Sequence, residues 1–153
     1  AATAANQGFT DAWVWAARSL QESGQALASI PFWERVLELD PDDERARWYI
    51  SRARTALEHG EVAGPAYYDA LARYQAGDAQ SALELLETAL EAEPQFVQAW
   101  GLLGRITFEQ ERYAEAAEAY QRASDLEPGN DDYAFFAQEA RMLSEAEEGS
   151  DDR

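Results

Sequence analysis

The sequence predicts an all-α fold, with antiparallel helix pairs stacked as an α-solenoid of about eight helices, on three observations. Trp100, Leu103 and Gly104, then Ala116, Tyr120 and Ala123, closing on Asp125-Leu126-Glu127-Pro128, form a skeleton that also stands 87 residues earlier. There it reads Trp13, Ala17, Trp33, Val36 and Leu39-Asp40-Pro41. The alternation of small and large residues fixes how two helices nest and where the next pair must stack. The prolines keep the frame: Pro94 and Pro128 are 34 residues apart, and Pro41 and Pro94 are 53 apart, one repeat plus an extra helix of 19.

The elements follow in order. A first pair is expected over 9–23 and 25–39, turned at Gly24, with Pro31 forcing a kink or a later start in its second helix. A lone helix over 43–59 follows the Asp40-Pro41-Asp42 stop and cap signal. The next pair spans 65–76 and 79–92. Pro65 is tolerated in a first turn, and Gly77-Asp78 marks the break. In its second helix Ala82, Leu83, Leu86, Ala89 and Leu90 make one buried stripe at helical spacing. Another pair spans 96–110 and 113–126, where Ala116 and Ala123 allow close approach and Tyr120 fills the groove between them. A closing helix spans 131–146.

Length and charge bound the rest. The 153 residues suit one elongated domain, and 46% hydrophobic and 12% aromatic residues predict a buried core rather than disorder. Thirty acidic residues stand against twelve basic ones, all of them Arg, for a formal charge of −18. That excess repels phosphate backbones and anionic membranes, so neither nucleic acid nor membrane insertion is expected. It fits either a basic protein or peptide partner, or a solubility device without a specific partner. No cysteine is present, which removes disulfides and thiolate chemistry. No apolar run reaches the roughly 18 residues of a membrane span, and no signal-peptide pattern opens the chain. A cytoplasmic location is therefore expected, while the start at Ala1 without Met stays compatible with a removed leader or anchor.

Trp100, Leu103, Gly104, Ala116, Tyr120, Ala123 and Pro128 together resemble the tetratricopeptide repeat at its family spacing. The resemblance is strongest over 97–130. It extends to 10–43, where Ser29 replaces the usual Ala, and to 63–96, whose first helix carries Ala66 where the Trp would stand. It implies a right-handed solenoid domain over 9–146, with an extra helix at 44–59, a capping helix at 131–146, a flexible segment at 1–8 and an acidic tail at 147–153. Residues 62–76 also align as a second helix to 44–59. Of the two framings we favour a break near His59 to Gly64, with Gly60 and Gly64 permitting the loop.

Catalysis finds little support. The one histidine, His59, falls at a helix end, where a cation suits the helix dipole. The acidic groups at 40–44 and 131–132 fall at helix starts, where capping explains them. Phosphate-binding loops, nucleophile elbows and metal-ligand spacings are missing, so no enzyme activity, cofactor or metal is expected.

The resemblance implies that the first helix of each pair lines a concave groove. Carried over from Trp13, Arg47, Ala66, Trp100 and Ala134, the groove positions give a candidate partner-binding set. It comprises Trp15, Arg18, Trp48, Tyr49, Arg52, Tyr67, Tyr68, Tyr74, Arg105, Phe108 and Phe135. Arg18, Arg52 and Arg105 hold matching positions. Such guanidinium groups over aromatic rings can take a carboxylate bidentately or stack on the rings. Equally, they can tie the repeats together through acidic partners. The Lys and Asn with which the family clamps a chain-terminal carboxylate are absent. The expectation is a non-enzymatic module holding a peptide or protein in an aromatic and Arg-lined groove. Its rival is self-association into a homo-oligomer through exposed aromatic faces.

Overall fold

The computed structural model describes the backbone of residues 4–151 and the side chains of residues 8–149. Among these, eight α-helices succeed one another with no strand: α1 (Ala4–Glu22), α2 (Ile30–Leu39), α3 (Glu44–His59), α4 (Ala63–Gln75), α5 (Ala79–Ala92), α6 (Val97–Glu109), α7 (Tyr113–Leu126) and α8 (Asp131–Asp151). This is the all-α class of stacked helix pairs. Within the C-terminal unit α6 and α7 run antiparallel: the Phe108 ring meets Tyr113 beside the turn, and Gly104 meets Tyr120 farther out.

Local chemistry sets the boundaries. A 3-10 turn at Leu27–Ser29 precedes α2, so Pro31 falls in the first turn of the helix, where its missing N–H costs nothing. The later start, rather than a kink, is what Pro31 imposes. Asp43 caps α3 by accepting from the Ala46 N–H at 3.0 Å, and Asp78 caps α5 by accepting from Ser81 at 3.2 Å. Three turns place glycine in the left-handed region: Gly24, Gly60 and Gly77, at φ 78°, 80° and 82°. In the α6–α7 turn the left-handed residue is Glu111, at φ 60°.

Two expectations at the ends are corrected. The segment 1–8 is helical from Ala4 onward, with residues 1–3 outside the described residues. The closing helix continues through Asp151 where a tail was expected from 147, with 152–153 outside the described residues. Ala146, Glu147 and Glu148 are strong helix formers, which favours the continuation of α8 past 146.

The chain divides between Pro65 and Ala66 into two compact units. In the N-terminal unit, Trp33 and Val36 of α2 pack with Ala17 of α1 and with Ala46 and Ile50 of α3, and Trp13, Phe32 and Tyr49 close over them. Gly64 was expected to loosen a loop. Instead it lies inside α4, where a Cβ would sit 2.1 Å from the Thr55 carbonyl oxygen, so it is a close-packing residue and Gly60 alone makes the turn. In the C-terminal unit, Ala116, Ala117 and Tyr120 of α7 pack against Ala137 and Ala140 of α8. Trp100 is only half-buried; its indole N–H donates to the Pro94 carbonyl at 2.9 Å, tying the helix to the loop before it.

Candidate functional site

The candidate residues divide between the two units. In the C-terminal unit, α4, α6 and α8 present a groove of about 570 Å³. Tyr67, Leu71 and Tyr74 come from α4, and Gln98, Gly101, Leu102, Arg105, Phe108 and Glu109 from α6. Tyr120 of α7 and Tyr133, Phe136 and Glu139 of α8 complete it. Small residues let the helices approach. A Cβ at Gly101 would meet the Tyr133 ring at 2.7 Å, and one at Gly104 would meet the Tyr120 ring at 2.9 Å. The rings brace each other: Tyr120 and Phe136 stack at 5.3 Å, and Tyr67 leans on Phe96 at 4.8 Å.

Arg105 stands among the tyrosines. Burial raises the phenol pKa of Tyr67, Tyr120 and Tyr133 above the usual value, and the Arg105 charge opposes that rise at each. At Tyr74 the leading cause of the rise is the hydrogen bond its hydroxyl donates to Glu109, with Arg105 again opposing. Among the described residues no carboxylate stands at salt-bridge distance from Arg105, whereas Arg35, Arg45, Arg54 and Arg112 each hold one. The groove thus offers apolar ring faces, phenol donors and an exposed cation, flanked by Glu109 and Glu139.

Of the candidates, Tyr67, Tyr74, Arg105 and Phe108 meet in this groove. Tyr68, about 100° around α4 from Tyr67, does not line it. Phe135 is corrected to Phe136: α8 turns Tyr133, Phe136, Ala137 and Ala140 inward, which leaves Phe135 62% exposed and edge-on to Phe136. Tyr133 and Tyr120 were missed as lining residues. Gly101 was the available signal for Tyr133, because a missing side chain on α6 is where a neighbouring ring can lie.

In the N-terminal unit, Tyr49 is corrected from groove to core, since its ring stacks on buried Trp33 at 4.7 Å and 13°. Trp48 stands edge-on to Tyr49 at 4.8 Å, and the Arg52 guanidinium lies 5.7 Å from the Trp48 ring centroid, within cation–π range. Trp15 and Arg18 line a shallow depression on α1 with Asp11, Val14, Ser19 and Glu22. A depression of about 540 Å³ between α7 and α8, lined by Glu118, Arg122, Asp125, Arg141 and Glu145 among others, has no ring to anchor an apolar group.

Residues 69–131, the stretch that supplies most of the groove, match the family model of the tetratricopeptide repeat. The same family appears in a curated relative, the small glutamine-rich tetratricopeptide repeat-containing protein 2 of Mycosarcoma maydis. That relative is 36% identical over 69 residues, 44% of this chain and 20% of its own length. The chain thus resembles tetratricopeptide repeat proteins over residues 69–131, within its C-terminal unit, and it spans about a fifth of the length of the curated relative it matches. A solved structure titled "MamA RS-1 ArsTM double mutant" superposes with a TM-score of 0.48 at 18% identity, covering 94% of this chain and 97% of that one. Tetratricopeptide repeat domains generally mediate protein–protein interaction. Among the described residues no helix is long and apolar enough to cross a membrane.

Proposed function

We propose that this chain is a non-catalytic binding module whose C-terminal unit holds an extended or helical peptide in the groove of α4, α6 and α8. The observation that carries the reading is Arg105, exposed and without a carboxylate at salt-bridge distance among the described residues, set among four tyrosines of a strongly acidic chain. Aromatic or aliphatic side chains of the partner insert between Tyr67, Phe108, Tyr133 and Phe136. An acidic group of the partner meets the Arg105 fork, and phenol hydroxyls supply further donors. Basic flanking residues are drawn by Glu109, Glu139 and the −18 charge of the whole chain.

A pull-down read by mass spectrometry tests this, with the intact chain beside Arg105→Ala and Phe136→Ala variants. A partner retained by the intact chain and lost with both variants supports the groove. Retention of the same partners by both variants places binding elsewhere.

A further inference from the structure

A second surface lies on α1, in the N-terminal unit. Its exposed stripe runs Asp11, Trp15, Arg18 and Glu22, at steps of three and four residues, beside half-buried Val14. Trp15 is 74% exposed, an indole left in water by a helix whose other tryptophan, Trp13, packs into the core. Asp11 and Arg18 lie seven residues apart on one face, about 10 Å along the axis, too far to pair within the helix. Among the described residues neither has an opposite charge at salt-bridge distance. Asp11 contributes to the field at Arg45, but the Arg45 guanidinium is already held by Asp43 at 2.7 Å.

The stripe is complementary to itself. A two-fold axis across α1 between Val14 and Trp15 sets two copies of the helix antiparallel. Asp11 then faces the Arg18 of the second copy, Arg18 faces its Asp11, and each Trp15 lies over the other copy's Val14. Reversal of the charge order along the helix is what an isologous contact requires, since the same patch must serve both partners. It also solves a problem of this chain in particular. Two bodies of charge −18 repel, and they can touch only where an acid meets one of the scarce arginines.

We infer that the Asp11–Trp15–Arg18 face of α1 docks on the same face of a second copy of this chain, forming a two-fold dimer. One helix face is small beside the area of a permanent interface, so the association is reversible and concentration-dependent.

Sedimentation velocity on the intact chain, from micromolar to near-millimolar concentration, reads the equilibrium directly. The expected result is a monomer passing to a dimer, with Asp11→Arg and Arg18→Asp each weakening association by about tenfold or more. The doubly exchanged Asp11→Arg, Arg18→Asp chain should recover it. Trp15→Ala should also abolish the dimer while leaving the helical circular dichroism unchanged, because the side chain is exposed. A chain that stays monomeric throughout overturns the inference. So does a dimer indifferent to the single exchanges, or one that the double exchange fails to restore.

Discussion

The Tyr74 hydroxyl of α4 donates to a carboxylate oxygen of Glu109, the last residue of α6, at 2.7 Å. With the Tyr67 ring against Phe96 at the other end of α6, this bond sets α4 and α6 side by side and in the same direction. It also occupies Glu109, the acid nearest in sequence to Arg105. A groove in an acidic chain thereby keeps a cation available.

The tyrosines report on that cation. Tyr67, Tyr74, Tyr120 and Tyr133 all have phenol pKa values raised above the ordinary 10.0, with Arg105 opposing the rise at each. Ultraviolet titration should show a group of late-ionising tyrosines, and Arg105→Ala should move it to still higher pH. An unmoved titration curve would show that Arg105 points away from the rings. Because Arg105 forms none of the salt bridges found among the described residues, its loss should leave the thermal midpoint nearly unchanged.

Stability at acid pH should single out Asp43. Its carboxylate is buried, bonds to Arg45 and caps α3, and its pKa is lowered, first by the Arg45 hydrogen bond. A lowered folded pKa gives stabilisation that is complete above the unfolded value near 3.8 and is lost as pH falls through the folded value. Asp43→Asn keeps a good cap and removes the charge, so it should cost about 1 kcal/mol at neutral pH. Urea melts of the two proteins should converge below about pH 4. A difference that persists undiminished in acid would assign the effect to shape instead of charge.

Glu111 stands in a backbone conformation that glycine holds at the other left-handed turns. At φ 60° its Cβ is strained, so Glu111→Gly should stabilise by about 0.5–1 kcal/mol, and Gly77→Ala, at φ 82°, should destabilise by about 1–2 kcal/mol. Denaturant midpoints of the pair decide this; equal signs would contradict it.

The tryptophans should separate by burial. Trp33, 1% exposed and stacked on Tyr49, should cost about 3–5 kcal/mol when replaced by Ala. Trp100, half-buried with its N–H on Pro94, should cost roughly half as much. Thermal unfolding of both variants is the measurement, and a Trp100→Ala loss matching that of Trp33→Ala would contradict the ranking.

The helix pairs were legible because Ala116, Tyr120, Ala123 and the proline stops encode packing locally, within one turn or one loop. The groove was legible in part. Tyr67, Tyr74, Arg105 and Phe108, which line the groove, stand at a fixed offset along α4 and α6. The same offset failed on α8, where rotation is set by Ala137 and Ala140 against α7 and not by a repeat position, and so Phe136 replaces Phe135. It failed for Tyr49 because Trp33, on another helix, captures that ring. Neither contact has a signature within its own segment.

Gly101 and Gly104 put two of the poorest helix formers into the middle of α6, at about 1 kcal/mol each relative to Ala. The rings of Tyr133 and Tyr120 lie over them. Cut away from α7 and α8, the α6 segment would lose the rings that cover both glycines and keep only its contacts with α4 and α5. Its folding is therefore coupled to that of both neighbours, and a chain truncated before α8 would leave Gly101 uncovered in the middle of a helix.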